Sequence, residues 1–220
     1  MRRFYQSAFL LCGILLMFAA RPVFAQEKVT INKQPTNDFV RFVKDKIEKG
    51  EVDLTQPFKV VAEGALTAEG KLDTSIDSKT KKPKSLFTTV EGDEKMVEVA
   101  KIAIEAVSDS GWLGYLKNLG AEKVKLTFAQ DKENVIGIVE SEAATAEKAG
   151  TMASGFNVAI KMAQINVKDE DDKILLSGLH AATVNEKIVT LNFALPRQTV
   201  QEMIMRNLKK ALETEKTASE

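Results

Sequence analysis

Cysteine and histidine are almost absent from this 220-residue sequence, which contains one of each, Cys12 and His180. The usual zinc sites need three or four nitrogen, sulfur or oxygen ligands, so a lone histidine gives no basis for one. A disulfide within the chain needs a second cysteine and is excluded. The fold must therefore be held by its apolar core, for which the length and the 44% hydrophobic content are sufficient.

An excess of charge of one sign is also missing. The chain has 31 basic and 31 acidic residues, and its formal net charge is zero. Nucleic-acid binding depends largely on positive charge that neutralises phosphates. The composition therefore gives no electrostatic argument for a nucleic-acid partner.

Catalytic and ligand-binding motifs are missing as well. Ser154, in "MASGF", lacks the G-x-S-x-G context of a nucleophile elbow, and "GTMASG" at 150–155 is not followed by the Gly-Lys-Ser/Thr of a phosphate loop. "KDEDD" at 168–172 lacks the spacing and glycine of a calcium loop, and we interpret it as a solvated turn. His180 lies in an alternating stretch and is predicted to face solvent or a neighbouring strand. The sequence predicts a protein that is not an enzyme and has no cofactor or metal.

Long apolar runs are rare, and the clearest one lies near the start of the chain. Residues 8–20, "AFLLCGILLMFAA", carry no charge. Thirteen residues match the apolar region of a signal peptide and fall short of the ~20 that span a bilayer. Small or β-branched residues precede a cleavage point after Ala25. We interpret residues 1–25 as a secretory signal peptide and leave an uncleaved anchor as the alternative.

Removal of this leader changes the charge of the chain. Arg2, Arg3 and Arg21 lie in it and no acidic residue does, so the remaining chain has three more acidic than basic residues. Cys12 is removed with the leader. The predicted location is exported, either periplasmic or extracellular.

The rest of the chain is predicted to form one domain behind a short lead-in. Residues 26–50 contain the lead-in and an amphipathic helix at 36–48, whose apolar residues share one face. This helix either packs on the domain, which we favour, or lies on a membrane surface. Residues 51–213 form a single α+β domain, and residues 214–220 form a polar tail.

A pattern of two strands followed by a helix occurs three times in the domain. Period-two alternation around short polar turns is typical of hairpins, and apolar stripes at helical spacing follow each pair. We predict an antiparallel sheet built from three hairpin–helix (ββα) units, with the helices packed on one face. The predicted strand pairs are 58–67 with 71–77, 124–130 with 135–141, and 174–184 with 188–195, and the predicted helices are 94–107, 149–163 and 198–212.

Aromatic residues and methionines provide the candidate contact surfaces. Trp112 and Tyr115 lie on a glycine-rich stretch, where aromatic side chains either form a recognition surface or cap one end of the core. Methionine favours adaptable apolar contacts but also fills cores. Four methionines lie on the second and third predicted helices: Met152, Met162, Met203 and Met205.

Two stretches resemble a known family. "DLTQPFKVVAEGALTAEGKLD" at 53–73 and "VEGDEKMVEVAKIAIEAVSDSGWLGYL" at 90–116 are similar to an extracytoplasmic domain of bacterial TonB-type energy-transducer proteins. The resemblance implies a small periplasmic domain that pairs a hairpin with a helix and binds partner proteins by strand addition, without catalysis. The leader lacks the family's Ser-x-x-x-His anchor pattern, and no proline-rich spacer follows it. Binding, and not energy transduction, is therefore what the resemblance implies here.

The leading hypothesis is a non-catalytic exported module of the periplasm or cell envelope that binds an envelope protein. Binding would use an exposed edge strand or the region of Trp112 and Tyr115. The alternative is a carrier of lipid or another apolar small ligand, enclosed between the sheet and the methionine-bearing helices. Contact with a membrane surface would involve an uncleaved leader or residues 36–48.

Overall fold

The computed structural model describes residue 32, residues 34–75 and residues 85–206. The predicted signal peptide, with its cleavage point after Ala25, and the polar tail at 214–220 lie outside these residues.

The described strands form one six-stranded sheet in the order β2-β1-β3-β4-β6-β5. Every neighbouring pair is antiparallel. An antiparallel sheet combined with helices confirms the predicted α+β class. The strands are β1 (Phe58–Ala65), β2 (Phe87–Gly92), β3 (Ala121–Gln130), β4 (Asn134–Ala143), β5 (Thr183–Asn185) and β6 (Ile188–Pro196).

Helices precede, connect and follow these strands. Residues 197–206 are also helical, up to the end of the described part. Asp93 caps the helix that begins at Glu94, because its side chain accepts hydrogen bonds from the N–H groups of Lys95 and Met96. The helices are α1 (Gln34–Glu48), α2 (Glu94–Asp109), α3 (Gly114–Asn118), α4 (Ala146–Asn166) and α5 (Glu170–Ser177).

The core lies on one face of the sheet. Buried and partly exposed residues alternate strictly along β4, and nearly so along β3 and β6, as expected for strands with one covered face. The buried strand residues belong to the same core cluster as the buried residues of α2 and α4. Helix α2 contacts β1, and α4 contacts β6. The opposite face, which we call the open sheet face, has no comparable set of buried residues.

The middle hairpin lies where the sequence predicts it. Thr127 of β3 faces Ile138 of β4, and the two strands pair along almost their whole length. Asp131 forms the turn, because its side chain accepts hydrogen bonds at 2.7 Å from the N–H groups of both Glu133 and Asn134. Local alternation and local turn chemistry were sufficient to locate this element.

The first hairpin differs from its prediction. Residues 71–77 were expected to form the return strand, but the described part of that stretch has only an isolated bridge between Leu66 and Leu72. The Leu72 N–H donates to Ser108 Oγ on α2 at 3.0 Å, and the Leu72 side chain is buried in the core. The backbone is therefore bonded to a helix at this point, and the strand that pairs with β1 is β2.

The third hairpin also differs. The predicted strand at 174–184 is replaced by helix α5 and the three-residue strand β5. The acidic residues at 168–172 are not a solvated turn, because Asp169 caps α5 by accepting hydrogen bonds from the N–H groups of Asp171 and Asp172. The acidic side chains of Glu170 and Asp171 in the first turn favour this helix, and burial of Leu175 and Leu176 holds it against the domain.

Candidate functional site

Trp112 and Tyr115 do not form an exposed aromatic surface. Trp112 is 3% exposed and belongs to the core, and Tyr115 is partly buried against it. The turn around Gly70 lies directly over Gly114, where an added Cβ on Gly70 would be 2.2 Å from the Gly114 Cα. Trp112 is therefore a core residue, and the Gly70 turn lies against the backbone that follows it.

His180 is exposed, as predicted. Its N–H donates to the Asn192 carbonyl at 2.9 Å, which joins the chain before β5 to β6. Among the described residues, no group of three or more histidine, cysteine or acidic side chains is placed to hold a metal ion.

The apolar face of α1 is used for packing within the domain. Phe39 is 2% exposed and Val43 is 6% exposed, and the helix contacts α2. These side chains are therefore not presented to a membrane surface. None of the helices in the described part has the length and apolar content needed to cross a bilayer.

The four methionines fall into two pairs. Met152 and Met203 are 0% and 1% exposed and fill the core. Met162 and Met205 are 38% and 56% exposed. The four methionines of the second and third predicted helices therefore do not line one common ligand cavity.

The outer side of β2, which we call the β2 edge, is the longer free edge of the sheet. In the part of the chain that the structure describes, β2 pairs with β1 on one side and with no strand on the other. The opposite edge strand, β5, has three residues against six in β2. Val90, in the middle of β2, is 45% exposed. An edge of this kind presents unpaired backbone N–H and C=O groups that a further strand can bond.

Both ends of β2 are anchored while its middle is exposed. At the start, the Phe87 ring packs against the core and lies 5.4 Å from Lys101 Nζ. At the end, Gly92 has a φ of 103°, and a Cβ there would lie 2.3 Å from the Pro57 carbonyl oxygen. The edge is therefore held in a fixed position, which lowers the entropic cost of adding a strand to it.

The open sheet face adjoins the β2 edge and has two parts. Near the β3–β4 turn it carries the small or aliphatic residues Ala129 and Ile136, which face each other across the two strands. Farther along the same strands, Lys125 Nζ lies 2.6 Å from Glu140 Oε2. This hydrogen bond raises the pKa of Lys125. The charged part keeps that end of the open sheet face hydrated.

Sequence reasoning missed the β2 edge although a signal was present. Residues 87–90 read "FTTV", an aromatic followed by three β-branched residues, immediately before the Asp93 cap of α2. This composition is typical of strands. The nearer stretch at 71–77 was preferred as the return strand because it follows the turn at Gly70 directly.

Comparisons with known proteins provide no independent assignment. No family model matches the chain, and no curated protein or solved structure is detectably similar to it. The resemblance to TonB-type domains stays a prediction from the quoted residues, and the β2 edge is the best-defined candidate site.

Proposed function

We propose that this chain is a non-catalytic exported module that binds an extended segment of a partner protein by strand addition at the β2 edge. The observation that carries the proposal is the anchored and exposed edge of β2, which pairs with no further strand among the described residues. Strand addition takes its affinity from main-chain hydrogen bonds and its specificity from alternate side chains. Export is supported by the leader-like sequence of residues 1–25.

The side chains of β2 indicate what the added segment would contain. Val90 lies on the helix side of the sheet, and its neighbours Thr89 and Glu91 lie on the open sheet face. Cross-strand pairs are stabilised by apolar contact and by opposite charges. We therefore expect an apolar residue opposite Val90 and a basic or polar residue opposite Glu91.

The alternative function, a carrier of lipid or another apolar small ligand, has less support. It required the methionine-bearing helices to enclose a ligand against the sheet. Met152 and Met203 instead contribute to the packed core. The geometry supports the binding module better.

Site-specific photo-crosslinking tests the proposal in the cell envelope. A photo-reactive amino acid replaces Val90 in one variant and Val184 in a matched control, a valine of the other edge strand that is 43% exposed. We expect Val90 to give a defined adduct with one protein and Val184 to give none. Mass spectrometry of the adduct would identify the bound segment.

Hydrogen exchange then distinguishes strand addition from a side-chain contact. A synthetic peptide of the cross-linked segment should slow exchange at alternate amides of β2, because alternate N–H groups of an edge strand point outward. Equal cross-linking at Val90 and Val184, or an adduct whose peptide leaves β2 exchange unchanged, would remove the proposed mode.

A further inference from the structure

Charged side chains divide the β2 edge into an acidic end and a basic end. Glu91 is exposed on the open sheet face, and Glu94 is exposed at the start of α2, two residues after β2 ends. Lys101 follows Glu94 by seven residues, about two helical turns, so both lie on the same side of α2. The Lys101 Nζ lies 5.4 Å from the centre of the Phe87 ring, at the opposite end of β2. The sign of the charge therefore changes along the edge.

These charges are left for a partner in the part of the chain that the structure describes. The ion pairs among the described residues involve neither Glu91, Glu94 nor Lys101. Lys59 of β1 faces Glu91 across the sheet. A basic side chain on the outer side of Glu91 would therefore continue a row of alternating charges, which stabilises cross-strand neighbours.

The backbone of β2 determines which residue an added strand would bond. The Asp93 N–H donates to the Pro57 carbonyl at 3.1 Å, on the side of β1. Alternate residues of an antiparallel strand bond the same neighbour, so Glu91 and Thr89 also bond β1. The N–H and C=O groups of Val90 therefore point to the outer side of the sheet.

A bulge limits the length of regular edge that is available. The pairing with β1 skips Thr88, because Val61 faces Thr89 whereas the next residue, Ala62, faces Phe87. A bulge of this kind interrupts the ladder and bends the strand that carries it. An added strand therefore has one regular stretch to pair with, the three residues that follow Thr88, and the register is centred on the middle one.

We propose that the segment bound at the β2 edge runs antiparallel to β2 and carries, from its N-terminus, the order basic, apolar, any residue, acidic. This inference rests on the proposed strand addition. Every neighbouring pair of this sheet is antiparallel, and antiparallel pairing is the more stable kind. In that direction the basic residue lies opposite Glu91 and the apolar residue opposite Val90. The acidic residue follows two positions later, on the helix side and next to Lys101.

Other occupants match the charges of the edge less well. A parallel segment would need the reverse order, with the acidic residue first. A second copy of β2 centred on Val90 would place its Thr89 opposite Glu91 and its Gly92 next to Lys101. The paired strand would then supply apolar contact at the centre but neither of the two charges.

Two labelled peptides of the same composition test the charge order. One is acetyl-Ser-Lys-Val-Thr-Glu-Ser-amide, and in the other the lysine and the glutamate are exchanged. Fluorescence anisotropy with the purified chain at up to about 1 mM covers the range of weak binding. We expect the first peptide to bind about tenfold more tightly, because the exchange turns two attractive contacts into repulsive ones. The difference should shrink at about 1 M salt, which screens exposed charges.

A double exchange in the protein should reverse this preference. Glu91→Lys with Lys101→Glu inverts both ends of the edge, so the second peptide should now bind more tightly. The matched control is Lys123→Glu with Glu142→Lys, which exchanges an exposed ion pair of β3 and β4. It makes the same two charge changes away from the β2 edge and should keep the wild-type preference.

Equal affinities, a preference that the double exchange leaves in place, or no binding of either peptide at about 1 mM would overturn the charge order. A dimer of the purified chain that Val90→Lys abolishes would assign the edge to a second copy and would also overturn it. Failure of this inference is distinguishable from failure of the proposed function. A segment that cross-links at Val90 and protects β2 from exchange, but lacks the order, would overturn only the order. The absence of any adduct at Val90 would remove both.

Discussion

Single glycines decide whether parts of this backbone can approach each other. Gly70 has a φ of 72°, and a Cβ at this position would lie 2.2 Å from the Gly114 Cα and 2.3 Å from the Gly114 N. Both contacts are with backbone, which cannot rotate away. Gly150 is the opposite case, a helical glycine with no atom within 4 Å of the position of an added Cβ.

Alanine substitutions at these two glycines should change the free energy of unfolding in opposite directions. Gly70→Ala should lower the free energy of unfolding by more than about 2 kcal/mol, from the positive φ and the backbone contact together. Gly150→Ala should raise it by about 0.5–1 kcal/mol, because alanine is the better helix former. Urea denaturation measures both, and equal effects at the two positions would contradict the close approach of the Gly70 turn to α3.

At the scale of elements, the edge strand β5 depends on a side chain of α4. Asn157 Oδ1 accepts from the Ala182 N–H at 2.6 Å, and Asn157 Nδ2 donates to the Ala182 carbonyl at 3.2 Å. The amide thus bonds both backbone groups of a residue that lies between the Leu179 bridge and β5. The Asn157 side chain thus supplies backbone hydrogen bonds to Ala182, which lies just before the paired residues of β5.

Asn157→Ala should lower the free energy of unfolding by about 1–3 kcal/mol, since it leaves two partly buried backbone groups without a partner. Amides of β5 should also exchange faster than in the wild type. Asn166→Ala is the control, because the exposed Asn166 side chain bonds the Met162 carbonyl within its own helix. If both variants behaved alike, the hydrogen bonds between Asn157 and the Ala182 backbone would have no role in holding β5.

Helix α5 begins with crowded carboxylates that make its stability depend on pH. Partial loss of solvent around the Asp172 carboxyl, which is largely exposed, raises its pKa, and the charges of Asp169 and Asp171 raise it further. The folded state therefore holds this proton more tightly than the unfolded state. Its contribution to stability is present below the unfolded pKa of about 3.9 and is lost as pH rises through the folded pKa.

Asp172→Asn removes this titration and should raise the melting temperature at pH 7. The gain should shrink toward pH 4, where the wild-type carboxyl becomes protonated and resembles the amide. Thermal unfolding of both proteins across this pH range measures the difference. A gain that is constant with pH would mean that the substitution acts through something other than the Asp172 charge.

At the scale of the whole molecule, local patterns located some elements and could not locate others. The β3–β4 hairpin was predictable because its pairing partners are close in sequence and its turn is fixed by Asp131. Strand β2 was not, because the Leu72–Ser108 hydrogen bond, across 36 residues, removes the expected return strand. The close approach of the Gly70 turn to Gly114, two residues after Trp112, likewise joins segments that are distant in sequence.

The connections of the sheet show a further limit of sequence reasoning. β2 is parallel to β3, and β4 is parallel to β5, but these two pairs run in opposite directions. Both connections step the same way along the sheet, and both place their helix on the core face. The two crossover connections must therefore have opposite handedness. One of them departs from the right-handed crossover that a topology predicted from sequence would assume.

Two glutamine side chains join three distant parts of the fold. Gln130, at the end of β3, is 6% exposed, and its Nε2 donates to the Leu54 carbonyl at 2.8 Å and to the Gln56 carbonyl at 2.9 Å. From the helical residues 197–206, Gln201 Nε2 also donates to the Leu54 carbonyl, at 2.8 Å. The segment before β1 is thus held by the sheet and by the last helix together.

Gln130→Leu keeps the size of the side chain and removes both hydrogen bonds. It should lower the free energy of unfolding by about 1–3 kcal/mol, because the Gln56 carbonyl loses a buried partner. Gln201→Leu should cost less than about 1 kcal/mol, since Gln130 still bonds the Leu54 carbonyl. Limited proteolysis should cut Gln130→Leu, and not Gln201→Leu, near residues 54–56 before the domain unfolds. The reverse order of stability would mean that the last helix, and not the sheet, positions the entry to β1.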